Sequence, residues 1–330
     1  MAGASLPGFV DLQVNGFRGT DFSGPDLDET SFARACRELL NLGTGAFLPT
    51  VITADVEIYR RNLPLMADVA KRPEFNNRLL GFHIEGPFIS RKPGAVGAHK
   101  PDWVRDPDLA LLDSMIEWSG GGIRLLTIAP EVPGAQGLIR HAVSRGITVS
   151  LGHSIASGED ISSAVTAGAK ALTHLGNAVP NMLPRHPNTI WEGLAEDRLS
   201  MMVIADGHHL PAATLKAMLR AKGVARSIVV SDASHLSGLP AGTYPYPGGT
   251  AVLEKSGLLH DPAKKCLVGS SRTMCECMNF LASTGWYGLE DMLKLGFHNP
   301  LALIGLAARD RNLPAALEFD PARGFVPAGG

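Results

Sequence analysis

Short apolar and β-branched runs recur along the chain, each closing in a polar or glycine-rich turn. They are GFVDLQVNG (8–16), TGAFLPTVIT (44–53), RLLGFHIEGPFI (78–89), IRLLTIAPE (123–131), GITVSLGHS (146–154), ALTHLGNA (171–178), LSMMVIADG (199–207) and RSIVVSDAS (226–234). Runs of this length bounded by turn residues predict buried strands. Between most of them apolar residues return at helical intervals, over 28–42, 55–71, 106–119, 134–145, 157–169 and 211–223. The first of these helices meets Gly43, a C-terminal cap. The stretch 180–198, rich in proline and asparagine, carries no clear period. Eight strands alternating with helices predict a parallel sheet, and the number favours a closed (β/α)8 barrel over an open doubly wound sheet. No G-x-G-x-x-G follows the first strand, so the dinucleotide fingerprint is missing.

Beyond the eighth strand the pattern changes. Residues 238–268 mix glycine, proline and tyrosine with short apolar runs and predict a hairpin excursion. Helical spacing returns over 270–283 and 289–308, the latter with a helix start at Asn299–Pro300, and 312–330 reads as loop. The organisation expected is one barrel over 1–310 with a tail over 311–330.

Composition narrows the function classes. Of 330 residues 45% are hydrophobic and 19% charged, which excludes disorder and coiled coil. A net charge of −2 without a basic block makes nucleic acid an unsuitable partner, and no apolar window is long enough for a membrane span. The four cysteines have no CxxC spacing, the first residues lack a signal-peptide pattern, and a reduced cytosolic setting is expected. Cys275 and Cys277, two apart on a helix, point away from each other and read as core or surface thiols.

The chemistry lies at the strand ends. Glu85 ends the third strand, His153 follows the fifth, His174 follows the sixth and Asp232 follows the eighth. A barrel gathers its active site at the C-terminal ends of its strands, so these distant positions would converge. Two imidazoles and a carboxylate make a three-ligand zinc site with an open position, and a further carboxylate can serve as general base. Each group alone could be a satisfied core residue; four together at strand ends are costly to bury without a task.

Together with PGAVGAH, THLGNAVP, IADGHH and VGSSRTM, these segments resemble the successive motifs of the N-acetylglucosamine-6-phosphate deacetylase family of the amidohydrolase superfamily, from residue 8 to about 306. The resemblance implies an amidohydrolase-type barrel with a small appended β domain, usually a homodimer, acting on a sugar phosphate. It implies one divalent ion, zinc or a similar metal, on Glu85, His153 and His174. Asp232 would take a proton from the attacking water and pass it to the departing amine, and His99 would stabilise the oxyanion. The backbone of Asn177 and Ala178, with Arg185 and His209, would hold the substrate and its phosphate.

Some positions depart from the family pattern. Gln13 and Asn15 stand where two-metal members of the superfamily carry His-x-His, which points to a single ion. Gly176 replaces a bulkier residue, and PRHPNTIWEG replaces a glycine-rich turn around Arg185, whose other reading is a surface ion pair. His208 stands beside His209, and either could face the ligand. The chain starts close to the first strand, so a reduced or missing small β domain is expected. Two other functions stay open: deacetylation of an unphosphorylated N-acetyl sugar or another N-acyl compound, and a non-catalytic sugar-phosphate sensor.

Overall fold

The structure, a computed structural model, describes residues 4–307, 313, 315–320 and 323–328. Eight strands form one parallel sheet: β1 (Phe9–Val14), β2 (Thr44–Ile52), β3 (Phe82–Glu85), β4 (Ile123–Ile128), β5 (Thr148–Leu151), β6 (Ala171–Leu172), β7 (Ser200–Ile204) and β8 (Ser227–Val230). Their spatial order follows the chain from β1 to β8, as the alternation predicts for a (β/α)8 barrel. Around them lie α1 (Glu29–Asn41), α2 (Val56–Ala70), α3 (Leu109–Trp118), α4 (Ala135–Ser144), α5 (Gly158–Ala167), α6 (Thr189–Ala195), α7 (Ala212–Lys222) and α8 (Met274–Ser283).

Alternation along each strand divides the core in two. Phe47, Ile84, Leu126, Val149, Val203 and Val229 face the helices, while Leu48, Leu125, Ala171, Met202, Ile204 and Val230 pack inside the barrel with Phe297 and Leu301. Inside, above that apolar plug, runs a polar chain. His83 lies 3.4 Å from the Thr50 hydroxyl and 2.8 Å from Thr127, Thr127 lies 2.8 Å from Thr173, and Thr173 donates to Ser150 at 2.6 Å. His83 is thereby a satisfied core residue, with burial pushing its imidazole down to about 4.

The barrel closes between β8 and β1 through a substitute for a strand ladder. Asn15 donates its amide to the Ala233 carbonyl at 2.8 Å, and Val14 pairs with Ala233. Below that bridge the Asp11 carboxylate accepts from the Ser231 amide at 3.1 Å, the Gln13 amide at 3.2 Å and the Ser231 hydroxyl. A register shift against β2 between Asp11 and Val14 turns the Gln13 side chain toward the top of the barrel.

Several expectations need correction. The 180–198 stretch contains α6, capped by Asn188, whose carboxamide oxygen accepts from Ile190 and Trp191. An α-helix does begin at Asn299, Asn299–Leu303 with Pro300 in its first turn, but it is not separate from what precedes it. The helical run is continuous from Leu289 through a π-helical segment, Lys294–His298, and Asn299 donates its side-chain amide to Val224 and Ser227. The excursion after β8 is a four-stranded antiparallel sheet rather than one hairpin: Gly242–Tyr246, Gly249–Leu253, Leu259–Asp261 and Cys266–Leu267. The tail is not loop where it is described. Strand Ala315–Asp320 pairs with Ala4–Pro7 and with Gly324–Pro327, both antiparallel. Residues 308–312, 314, 321–322 and 329–330 of the tail lie outside the described residues. Leu317 and Phe325 are buried in this small sheet, Phe325 edge-on to Phe9 at 4.8 Å, so tail residues complete the core.

Candidate active site

The strand ends converge as the motif spacing requires. Glu85 points up from β3 inside the barrel. One of its oxygens, Oε1, lies 3.1 Å from His153 Nε2 and 2.9 Å from His174 Nε2; the other, Oε2, lies 3.9 Å from His99 Nε2. All four side chains are buried. Donor atoms of Glu85, His99 and His153 fall within 4.8 Å of one another. Around a tetrahedral ion with bonds of about 2.0–2.1 Å, ligand atoms stand roughly 3.3 Å apart. The separations of Glu85 Oε1 from His153 and His174 are near that spacing, while the donor cluster within 4.8 Å takes His99 in place of His174.

Each donor is aimed by its surroundings. His153 Nδ1 is 2.9 Å from the Ala95 carbonyl, which sets the tautomer and leaves Nε2 for Glu85. His174 Nδ1 has no partner among the described residues, so Glu85 is the contact that orients its ring. His153, His174 and Asp232 have φ of 51°, 29° and 51°, in the left-handed region that side chains avoid. That strain turns three side chains inward immediately past their strands.

Burial alone would push Glu85 up, but the hydrogen bonds and charges of His153 and His174 reverse this and hold it well below the usual carboxylate range. Burial works against charge at His174 too, and Glu85 raises it nonetheless. At Asp232 burial dominates, Glu85 adds repulsion, and the carboxyl rises to about 6. Burial and His153 press His99 down to about 3, so its ring is neutral; its Nδ1 lies 2.8 Å from the Thr53 hydroxyl.

Gln13 and Asn15, noted in the sequence only for what they replace, turn out to organise the acids. Gln13 Nε2 donates to Glu85 Oε1 at 2.9 Å and to Asp232 Oδ1 at 3.0 Å, and Asn15 Nδ2 donates to the same Asp232 oxygen at 2.7 Å. One amide thus bridges two carboxylates that would otherwise repel.

The site opens into a cleft of about 830 Å³. Asn177, Ala178 and His209 line it, as does His99. Arg185 is exposed and is not among the lining residues, although Asn181, Met182 and Leu183 of the same segment are. His209, not His208, faces the cleft: a β-carbon at Gly257 would stand 3.3 Å from His208 Nε2, which places that ring against the four-stranded sheet. Residues that motif reading left unassigned also line it, among them Tyr246, Lys264 and Lys265 of that sheet and the Asp21–His235 pair, 3.9 Å apart. Cys275 and Cys277 are buried in α8, away from the cleft, and all four cysteines are free thiols. No described helix is long and apolar enough to cross a membrane.

Comparison with known proteins follows the same outline. No family model matches the chain. N-acetylglucosamine-6-phosphate deacetylase of Bos taurus is 35% identical over 327 residues, which is 95% of this chain and 78% of that protein. N-acetylgalactosamine-6-phosphate deacetylase of Escherichia coli O157:H7 is 34% identical over 304 residues, 91% of this chain and 78% of that protein. Among solved structures, the N-acetyl-D-glucosamine-6-phosphate deacetylase of Mycobacterium smegmatis superposes with a TM-score of 0.85 at 27% identity, covering 97% of this chain and 84% of that one. The Thermotoga maritima enzyme of that name gives 0.84 at 27%, covering 98% and 86%. Agreement in fold, in motif order and in identity over nearly the whole length has one consequence: the chain belongs to the N-acetylglucosamine-6-phosphate deacetylase family.

Proposed function

We propose that the chain hydrolyses the acetamide of an N-acetylamino sugar 6-phosphate, N-acetylglucosamine-6-phosphate first, releasing acetate and the amino sugar phosphate. The observation that carries this reading is the convergence of Glu85, His153 and His174 opposite Asp232, within a cleft of the family's barrel. One divalent ion, zinc by its preference for this donor set, would be held by Glu85, His153 and His174 and would supply Lewis acidity to a carbonyl and to water. Asp232, held by Gln13 and Asn15 and not needed for metal, accepts a proton from the attacking water and returns it to the departing nitrogen. His99 offers its Nε2–H to the carbonyl oxygen when the Thr53 hydroxyl turns from the Glu85 carbonyl, 3.2 Å away, to donate to Nδ1. Asn177, Ala178 and His209 contact the sugar phosphate, and Arg185 adds charge at the rim. A homodimer in the cytosol completes the proposal, four free thiols suiting a reducing compartment.

The test is acetate release from N-acetylglucosamine-6-phosphate by metal-loaded protein, with Asp232→Asn as the control. Activity that depends on Asp232 supports the reading, and no release sinks it. One observation favours a second substrate class. Because Arg185 stands off the cleft lining, an unphosphorylated N-acetyl sugar is the competing substrate. Comparable kcat/KM for free and phosphorylated sugars would select it.

A further inference from the structure

The turn after β7, Ala205-Asp206-Gly207-His208-His209, is built around a single carboxylate. Asp206 is 5% exposed, and its Oδ1 accepts from the amides of His208 and His209, both at 2.8 Å. Its other oxygen, Oδ2, lies 2.7 Å from His209 Nδ1. One side chain thus fixes both the backbone and the ring of the histidine that lines the cleft. Gly207 makes the turn possible: its φ is 79°, and a β-carbon there would stand 2.9 Å from the Phe280 ring. The His209 side chain is only 5% exposed, so Nδ1 has no solvent alternative to Asp206. Burial would push Asp206 up, but His209 and the two amides hold it well below the usual carboxylate range. Carboxylate and ring thus meet in a buried contact of 2.7 Å, in which Nδ1 is the donor.

We infer that Asp206 is a positioning residue that commits the Nδ1–H of His209 to its own carboxylate and leaves Nε2–H as a donor to an anionic substrate oxygen. This rests on the proposed contact between His209 and the substrate. It adds a residue to the recognition of the phosphate, one that never touches the substrate itself. A neutral ring held by the same carboxylate would present a bare Nε2 lone pair, which repels a phosphate oxygen.

The test uses metal-loaded full-length protein with Asp206→Asn, His209→Gln and the double variant. Asparagine keeps an acceptor for the two amides but cannot accept the Nδ1–H in the same place. For the phosphorylated sugar each single change should raise KM by about tenfold, the size of one charge-assisted hydrogen bond, with kcat within about twofold. The loss for the phosphorylated sugar should exceed that for the free sugar by at least about fivefold. The double variant should be no worse than the worse single, since both remove one interaction. Additive losses, an unchanged KM, or equal losses on both sugars with a fall in kcat would overturn the inference. Nitrogen-15 NMR of wild-type His209 with inorganic phosphate is a second readout, independent of turnover and of whether the Asn variant folds. Both ring nitrogens should carry protons in the phosphate-bound state, and an unprotonated Nε2 would refute it. Absence of acetate release from every sugar would instead overturn the proposed function and leave this spectroscopic result standing.

Discussion

Glu85 gives one oxygen to two imidazoles and turns the other toward a third, and that division assigns separate tasks to similar residues. His153 and His174 share Oε1 at 3.1 and 2.9 Å, whereas His99 stands 3.9 Å from Oε2 with its Nδ1 at Thr53. Metal content should therefore separate the histidines. His174→Ala is expected to retain less than about a tenth of the divalent metal of the wild type by elemental analysis, because the proposed ligand set would keep only Glu85 and His153. His99→Ala is expected to keep its metal and lose about 100- to 1000-fold in kcat, the range for one oxyanion donor. Metal retained by the first variant and lost by the second would exchange their roles. Glu85, His153, His174 and Asp232 were legible as candidates in the sequence, because strand ends are recognisable and a barrel gathers them on one face. The left-handed φ of His153, His174 and Asp232 was not, since no residue type announces it. Nor was the role of Gln13, whose amide spans two carboxylates that lie 72 and 219 residues away along the chain.

At the level of the elements, the closing seam between β8 and β1 carries the clearest stability argument. Burial pushes Asp11 up to about 7 against the opposing hydrogen bonds from Ser231 and Gln13. An unfolded aspartate titrates near about 3.9, so between roughly pH 4 and 7 the folded protein holds a proton that the unfolded chain has lost. The sign follows: this contribution is complete below about pH 4 and is lost as pH rises through about 7, at up to roughly 1.4 kcal/mol per pH unit. Asp11→Asn should flatten that part of the stability-versus-pH curve. Its carboxamide oxygen can accept from the two amides and its NH2 can donate to the Ser231 hydroxyl, which can turn to the Gln13 carbonyl at 3.3 Å. Asp11→Ala should cost about 2–4 kcal/mol at pH 5, where the Asp11 contribution is largest, and less at pH 8, because the Ser231 and Gln13 amides lose their acceptor. Urea denaturation at pH 5 and pH 8 checks both, and a parallel pH slope in wild type and Asp11→Asn would refute the assignment. Periodicity located all eight strands and most helices, since these are long and locally patterned. It missed α6, whose seven residues are too few for a period and whose signal is the Asn188 cap. It also missed the tail strands, whose partner Ala4–Pro7 lies at the other end of the chain, so that pairing is a tertiary fact.

Across the whole molecule the two small sheets divide the work. The one formed by the chain ends is tied to the barrel by Asn279 of α8, which donates to the Phe325 carbonyl at 2.8 Å and accepts from its amide at 2.7 Å. The four-stranded sheet after β8 instead reaches the mouth of the cleft. Its last turn is held by Asp261, which accepts from the Ala263 and Lys264 amides at 2.8 and 3.0 Å and from the Tyr246 hydroxyl at 2.8 Å. That frame sets the Lys264 ammonium 5.5 Å from the Tyr246 ring centroid and places Lys264 and Lys265 on the cleft wall. Opposite them the charges are Glu85, Asp232 and Asp21, so these lysines are the permanently charged cations of the lining, with Arg185 standing outside it. A net charge of −2 therefore conceals a cleft whose rim is positive and whose floor is negative, an arrangement suited to a substrate with an anion at one end and a neutral amide at the other. Replacing Lys264 and Lys265 together by Ser should raise KM for the phosphorylated sugar by about three- to tenfold, with less effect on the free sugar. Because such charges are exposed, the wild-type KM should also climb with salt between about 0.05 and 0.5 M, and the double variant should show a shallower rise. If Arg185→Ala produces this pattern and the lysine variant does not, phosphate recognition belongs to the segment before α6, and the four-stranded sheet is a wall without a part in selecting the substrate.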